Sequence, residues 1–148
     1  MELNPALLSS LILLTLSLAA GLWLKFSAGR GKRVSTHEVI DLGKLKVKKG
    51  KSLVKAFGKK ATLVQFSTEY CGQCPGVRRQ LLELEQQHSD LLYLDVDITD
   101  RLNLAAHFSV SQTPTVFVLD PRGEIKSKIS GIPRPGVIQS ELRKLGAL

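Results

Sequence analysis

The sequence predicts an α/β domain, a mixed central sheet with helices on both faces, preceded by one N-terminal transmembrane helix. Three observations carry this expectation. Between residues 61 and 148, short apolar runs alternate with amphipathic stretches. The last two runs flank Asp120-Pro121-Arg122-Gly123, with Pro and Gly where a hairpin turn uses them. A crossover unit followed by an antiparallel hairpin makes a mixed sheet. Ahead of all this, the stretch from Leu3 to Leu24 carries no charge, and a bilayer crossing needs roughly 20 apolar residues. The expected organisation is a transmembrane segment over 1–26, a basic juxtamembrane linker over 27–60 and a folded domain over 61–148.

The first segment, from Pro5 to Phe26, is apolar apart from Ser9, Ser10, Thr15, Ser17 and Lys25. A cleaved signal peptide is the competing reading, and Ala19-Ala20-Gly21 could serve as its cleavage site. Against it, no Lys or Arg precedes the run, which is also longer than a usual signal core. Trp23 and Lys25 suit an interfacial anchor. The nearby cations Lys25, Arg30, Lys32 and Arg33 all follow the span and Glu2 precedes it. The positive-inside rule therefore places the domain in the cytoplasm as a single-pass membrane protein. An extracytoplasmic domain is the alternative.

Charge divides the chain just as sharply. The formal net charge is +8 over 148 residues. Residues 25–60 hold twelve Lys and Arg against Glu38 and Asp41, whereas 61–148 are close to neutral. A basic footprint for nucleic acid is absent from the folded part, so no nucleic-acid partner is expected. The basic stretch reads either as a solvated linker, with room for a short first strand or helix of the domain, or as a strip on anionic membrane lipid.

The folded part then unrolls in order. Residues 61–67 (Leu63, Val64, Phe66) read as a core strand. Residues 76–87 place Val77, Leu81, Leu82 and Leu84 on one helix side, with Arg78 and Arg79 on a solvated face. Pro75 is compatible with the first helical turn, where amides lack partners. Residues 91–98 read as a second core strand. Residues 99–108 read as a second helix capped by Thr99 or Asp100. The hairpin strands follow at 115–119 and 123–129, and a last helix begins at Pro135.

Both cysteines lie at the junction of the first strand and its helix, as Cys71-Gly72-Gln73-Cys74. Helix-start amides and the helix dipole stabilise a thiolate at the first cysteine. The second lies about a turn on, within reach to resolve a mixed disulfide. Half of a zinc site is the competing reading. Structural zinc takes four ligands, yet His37, His88 and His107 are scattered and a second Cys pair is missing, so no metal is expected. Two cysteines are also too few for a disulfide scaffold.

These residues carry a resemblance. Phe66 to Cys74, the stretch Thr113-Pro114-Thr115 and Gly131 together resemble the thioredoxin family, over about residues 61–148. The layout of span, basic linker and dithiol domain resembles the membrane-anchored thioredoxin-like proteins of actinobacteria. The resemblance implies a thioredoxin fold and a membrane-tethered thiol–disulfide oxidoreductase. It implies catalytic roles for Cys71 as nucleophile and Cys74 as resolving cysteine. It also implies that Pro114 is the cis-proline beside them, with Thr113 pairing to the substrate chain and Tyr70 preceding the dithiol at the substrate side. The implied partners are a disulfide-containing protein substrate and a redox-recycling partner, with no cofactor. A binding module with little turnover is the reading from another class, and an extracytoplasmic thioredoxin serving cytochrome maturation or disulfide formation is a further one.

Three departures from the family pattern concern tuning. Tyr70 stands where Trp is usual. Gly72-Gln73 replaces Gly-Pro between the cysteines. Gln65 stands where a buried Asp usually helps deprotonate the resolving cysteine, and Tyr93 stands near that acid's usual Lys partner. Gln65 hydrogen-bonds but takes no proton at neutral pH, so slower turnover as a general reductase is expected.

Overall fold

The structure, a computed structural model, describes residues 5–27, 31–33, 38–49 and 52–148. Glu2, Leu3, Arg30 and His37, named above, lie outside the described residues. The described elements are α1 (Pro5–Ser27), β1 (Gly31–Arg33), α2 (Leu42–Leu45), β2 (Lys48–Lys49), β3 (Ser52–Leu53), β4 (Ala61–Ser67), α3 (Cys74–Gln87), β5 (Leu91–Asp97), α4 (Leu102–His107), β6 (Thr115–Leu119), β7 (Ile125–Ser130) and α5 (Val137–Lys144).

Five strands form the central sheet in the order β1-β7-β6-β4-β5. The β4–α3–β5 crossover makes its one parallel pair, and β6 and β7 form the antiparallel hairpin. Both arrangements follow from connection length: a helix fits between parallel strands, a tight turn between antiparallel ones. Asp120 closes that turn by accepting from the Arg122 and Glu124 amides at 2.9 and 3.0 Å.

Burial follows the strand period. On one sheet face, Leu63 packs with Val77, Leu81 and Leu84 of α3 and with Ile138 and Leu142 of α5. On the other, Val64 and Phe66 pack with Leu104 and Ala105 of α4. Phe66, Phe108 and Phe117 form the centre of that second core, with Phe66 and Phe117 centroids 5.1 Å apart. A fully buried β4 reads as a near-continuous apolar run because both of its faces are covered.

The boundary of the folded domain needs correction. Residues 27–60 were expected to be a linker, and the domain to start at 61. Instead Ile40, Leu45 and Val47 are buried in the α4-side core. The Ile40 amide donates to the Gly123 carbonyl at 2.8 Å, and Arg101 donates to the Leu45 and Lys44 carbonyls. The apolar residues among these lysines bury where the α4-side core would otherwise be open. In addition, β1 pairs antiparallel with β7, adding a strand to the sheet edge.

The α1 helix is long and apolar enough to cross a membrane by length and composition, and its large side chains are exposed. The hydroxyls of Ser9, Ser10, Thr15 and Ser17 each donate to a carbonyl three residues back, at 2.9–3.0 Å. A hydroxyl satisfied within its own helix needs no water.

Candidate active site

Cys71 and Cys74 are joined as a disulfide, with Cα atoms 5.5 Å apart. The oxidised pair sits just beyond the C-terminal end of β4, which lies between β5 and β6 in the sheet. Cys74 is the first residue of α3 and is 2% exposed, whereas Cys71 precedes the helix and is half-buried. The two sulfurs are therefore unequal in access, the outer one first in sequence. The Cys71 amide donates to the Thr68 carbonyl, and the Cys74 amide to the Cys71 carbonyl. Pro75 falls in the first turn of α3 as expected, and it has no amide proton to contribute.

The loop carrying the dithiol is tied to its neighbours by side chains rather than by a cap. The Glu69 amide donates to the Thr99 hydroxyl at 3.0 Å, and that hydroxyl donates to Asp97 at 2.6 Å. This corrects the expectation that Thr99 or Asp100 caps α4, whose N-cap is Arg101 without a side-chain bond. The Thr99 hydroxyl and amide hold Asp97 below the ordinary carboxylate range.

The Thr113–Pro114 peptide is cis. Pro114 is buried, and the Gly131 amide donates to its carbonyl at 2.8 Å. The hydroxyls of Thr113 and Thr68 lie 3.4 Å apart, which joins the proline loop to the dithiol loop. Tyr70 projects into solvent, 84% exposed, with Glu69 beside its hydroxyl raising its pKa. Gly72 and Gln73 are exposed between the cysteines.

Beneath the pair lies a polar floor. Gln65 is fully buried and its amide nitrogen donates to the Cys74 carbonyl at 3.1 Å. That carbonyl can only accept, which fixes the amide's orientation. The Gln65 oxygen then accepts from the Tyr93 hydroxyl at 2.9 Å. Burial, followed by the charge of Asp95, pushes the Tyr93 phenol well above its ordinary range, so it stays a neutral donor. A neutral amide and a neutral phenol thus occupy a site where a buried ion pair would need full compensation.

Sequence reasoning missed the next layer. Arg78 Nε donates to Asp95 at 2.6 Å, and Ser67 donates to the other Asp95 oxygen at 2.7 Å. Partial burial works against the Arg78 charge, but Asp95 outweighs it and raises the guanidinium pKa. Arg78 lies on the exposed face of α3 as expected, but its partner comes from β5, which a helical pattern cannot reveal. The available signal was Asp95 two residues after Tyr93, on the same face of a strand. Among the described residues, no three of His, Cys, Asp and Glu gather where they could hold a metal ion. His107 is a surface residue 3.9 Å from Glu38.

A strand–dithiol–helix unit, a cis-proline beside it and a mixed sheet beneath define a dithiol protein of the thioredoxin class. The thioredoxin family profile matches residues 42–144, and the chain belongs to that family. That match begins well before residue 61, in agreement with the early core residues. Thioredoxin H9 of Arabidopsis thaliana is 32% identical over 76 residues, covering 51% of this chain and 54% of that protein. The thioredoxin of Ovis aries is 32% identical over 74 residues, 50% of this chain and 70% of its own length. The chain thus spans about half the length of the plant relative. Among solved structures, oxidised thioredoxin O2 from Arabidopsis thaliana superposes with a TM-score of 0.51 at 25% identity, covering 59% of this chain and 76% of that one.

Proposed function

We propose that the protein is a membrane-tethered thiol–disulfide oxidoreductase whose catalytic pair is Cys71 and Cys74. The observation that carries this reading is the unequal pair itself: an accessible Cys71 and a buried Cys74 beside cis-Pro114. In the reduced state, the Cys71 thiolate attacks a disulfide of a partner protein. One partner sulfur leaves as a thiolate and takes a proton, and a mixed disulfide forms at Cys71. Cys74, losing its proton, attacks Cys71 and releases the second partner thiol. Two electrons pass to the partner, whose two thiols take up the proton released by Cys74 and one from water, and the Cys71–Cys74 disulfide remains. A dithiol reductant must then recharge the pair.

Thr113 and Pro114 present backbone to the substrate chain beside the dithiol, and Tyr70 offers an exposed ring to it. Gln65 fixes the Cys74 backbone and carries no proton away, so the Cys74 proton passes to water or to the departing partner thiolate. Gly72 and Gln73 leave the turn open to water. The tether is α1, with the domain on the cytoplasmic side as the cation distribution indicates. Anionic lipid contact falls to the basic stretch over 25–60 that follows the span. Lys49 and Lys60 are engaged elsewhere, with Glu85 and Asp90.

Cys74→Ser tests the chemistry. It should accumulate mixed disulfides that vanish in Cys71→Ser/Cys74→Ser and on reduction. A binding module would accumulate none. A reporter fused after Leu148 and active only outside the cell would overturn the topology while leaving the chemistry standing.

A further inference from the structure

The way α1 joins the sheet bears on which substrates the dithiol can meet. The chain leaves α1 at Ser27 and re-enters the fold at Gly31, the first residue of β1. Four peptide steps keep those two Cα atoms within about 14 Å. Gly31 pairs with Ile129, Ile129 with Val116, Val116 with Gln65, and Gln65 with Asp95. These five residues form one row across the sheet. Gln65, whose amide supports Cys74, is three strands from the entry point, or about 14 Å at ordinary strand spacing.

A direct contact shortens the path further. The Phe26 carbonyl, at the end of α1, accepts a hydrogen bond from Arg134. Arg134 lies three residues beyond Gly131, whose amide holds the carbonyl of cis-Pro114. The end of the anchor is thus linked through one short loop to the proline that borders the dithiol. Beside that loop, Ile132 is 51% exposed, and Tyr70 is exposed at the dithiol itself.

Along β4 the dithiol end of the sheet lies two residues, roughly 7 Å, from that row, and the opposite end lies four residues, roughly 13 Å, from it. There stand the Asp120–Gly123 turn, the start of β4 and the Lys60–Asp90 pair. A tether attached at that end would turn the dithiol outward; this one is attached at the dithiol end.

We infer that the anchor holds the dithiol end of the domain toward the bilayer, so that its substrates are disulfides of membrane proteins lying at the membrane surface. The inference rests on α1 spanning the membrane and on the dithiol reading above. Freely diffusing proteins meet this end only from the side. The exposed Tyr70 and Ile132 suit a partner segment that is itself interfacial, since amphipathic and aliphatic groups favour that layer.

The test uses the full chain reconstituted in lipid nanodiscs with a nitroxide quencher on the headgroups. Cys74→Ser leaves Cys71 as the one thiol to carry a fluorophore. Cys71→Ser/Cys74→Ser/Arg122→Cys carries the same fluorophore at the far turn. Discs are made of phosphatidylcholine alone and with added phosphatidylserine, because the lysines of the far end could draw it to an anionic surface. Quenching at Cys71 should exceed that at position 122 about threefold or more in both lipids, given the roughly 20 Å between the ends. Equal quenching, or the reverse order in either lipid, overturns the inference. Flotation of the full chain with liposomes, resistant to carbonate and salt, separates the causes. Chains that float but show no difference sink the orientation alone. Chains that fail to float sink the membrane span and the orientation together, and leave mixed-disulfide trapping by Cys74→Ser in detergent-free solution as the independent check on the chemistry.

Discussion

At one end of the central sheet the strands stop short and polar side chains take over; at the other, backbone closes tightly on backbone. The dithiol end is joined by Gln65 with Tyr93, Ser67 with Asp95, and Glu69 with Thr99. Each bond links residues distant in sequence, and each leaves the cysteine loop held but uncovered. The far end is closed by glycines. A Cβ on Gly58 would lie 2.2 Å from the Ala61 carbonyl oxygen, and one on Gly123 would lie 2.3 Å from the Phe57 ring. The contrast teaches that one end is arranged to present a reactive bond and the other to close the core. Substitutions at the two ends should therefore separate activity from stability.

The largest effect is expected at the dithiol. Cys71→Ser should reduce disulfide reduction to the background of uncatalysed thiol exchange, because no other thiol in the chain is accessible. Turnover of an insulin-like substrate reads this directly. Residual turnover within tenfold of the parent would break the comparison, because it would place the chemistry away from this end.

Next comes the far end. Gly58→Ala should destabilise by about 3 kcal/mol, at the upper end of ordinary point substitutions, because the blocking atoms are backbone and cannot rotate away. Urea unfolding measures it. The activity per folded molecule should stay within a factor of about two of the parent. A large activity loss in the folded fraction would show that the two ends are coupled.

The elements that were legible in the sequence were those whose burial is written locally. The runs at 61–67, 91–97 and 115–119 are apolar because both sheet faces are covered, and α3 shows its apolar side at helical spacing. Leu45 and Val47, each flanked by lysines, and Ile40, beside Asp41, carried no such signal, since they bury in a core with Leu119 and Ile125 from the far part of the chain. The same division runs through the site. Cys71, Cys74 and Pro114 were legible from their motifs. Thr99 was misread, and the partner of the exposed Arg78 was missed, because Glu69 and Asp95 become their neighbours only once the sheet is assembled.

The polar floor offers an intermediate test. Tyr93→Phe removes the one donor to the Gln65 oxygen in a fully buried setting. An unsatisfied buried acceptor costs about 1–3 kcal/mol, so thermal unfolding should move down accordingly. Gln65→Asp sharpens the same point through pH. Burial disfavours the charged carboxylate, so its folded pKa should rise above the unfolded value of about 3.9. Stability relative to the parent would be fully retained below that unfolded value and lost as pH rises through the folded one. The variant's rate of disulfide reduction should gain a pH-dependent step in the same range, because a proton acceptor then lies beneath Cys74. An unchanged pH–rate profile would mean that Gln65 has no bearing on proton handling.

The smallest effect belongs to the hairpin turn, where Asp120 mirrors Asp97 of the dithiol end. Burial works against the Asp120 charge, but amide donations from Glu124 and Arg122 and the nearby Lys126 outweigh it and lower its pKa. A carboxyl with a lowered folded pKa stabilises above its unfolded pKa of about 3.9, and that contribution disappears as pH falls through the folded value. Asp120→Asn should therefore lose under about 1 kcal/mol at neutral pH, as is usual for a solvent-accessible pair. It should also show a shallower acid limb in urea midpoints measured from pH 6 downward. Asp97→Asn should flatten the same limb, since Thr99 lowers that carboxyl too. It should in addition loosen the Glu69–Thr99 tie and alter turnover, which Asp120→Asn should leave untouched. If both substitutions changed turnover equally, the two ends would not be separable, and the division between a presenting end and a closing end would fail.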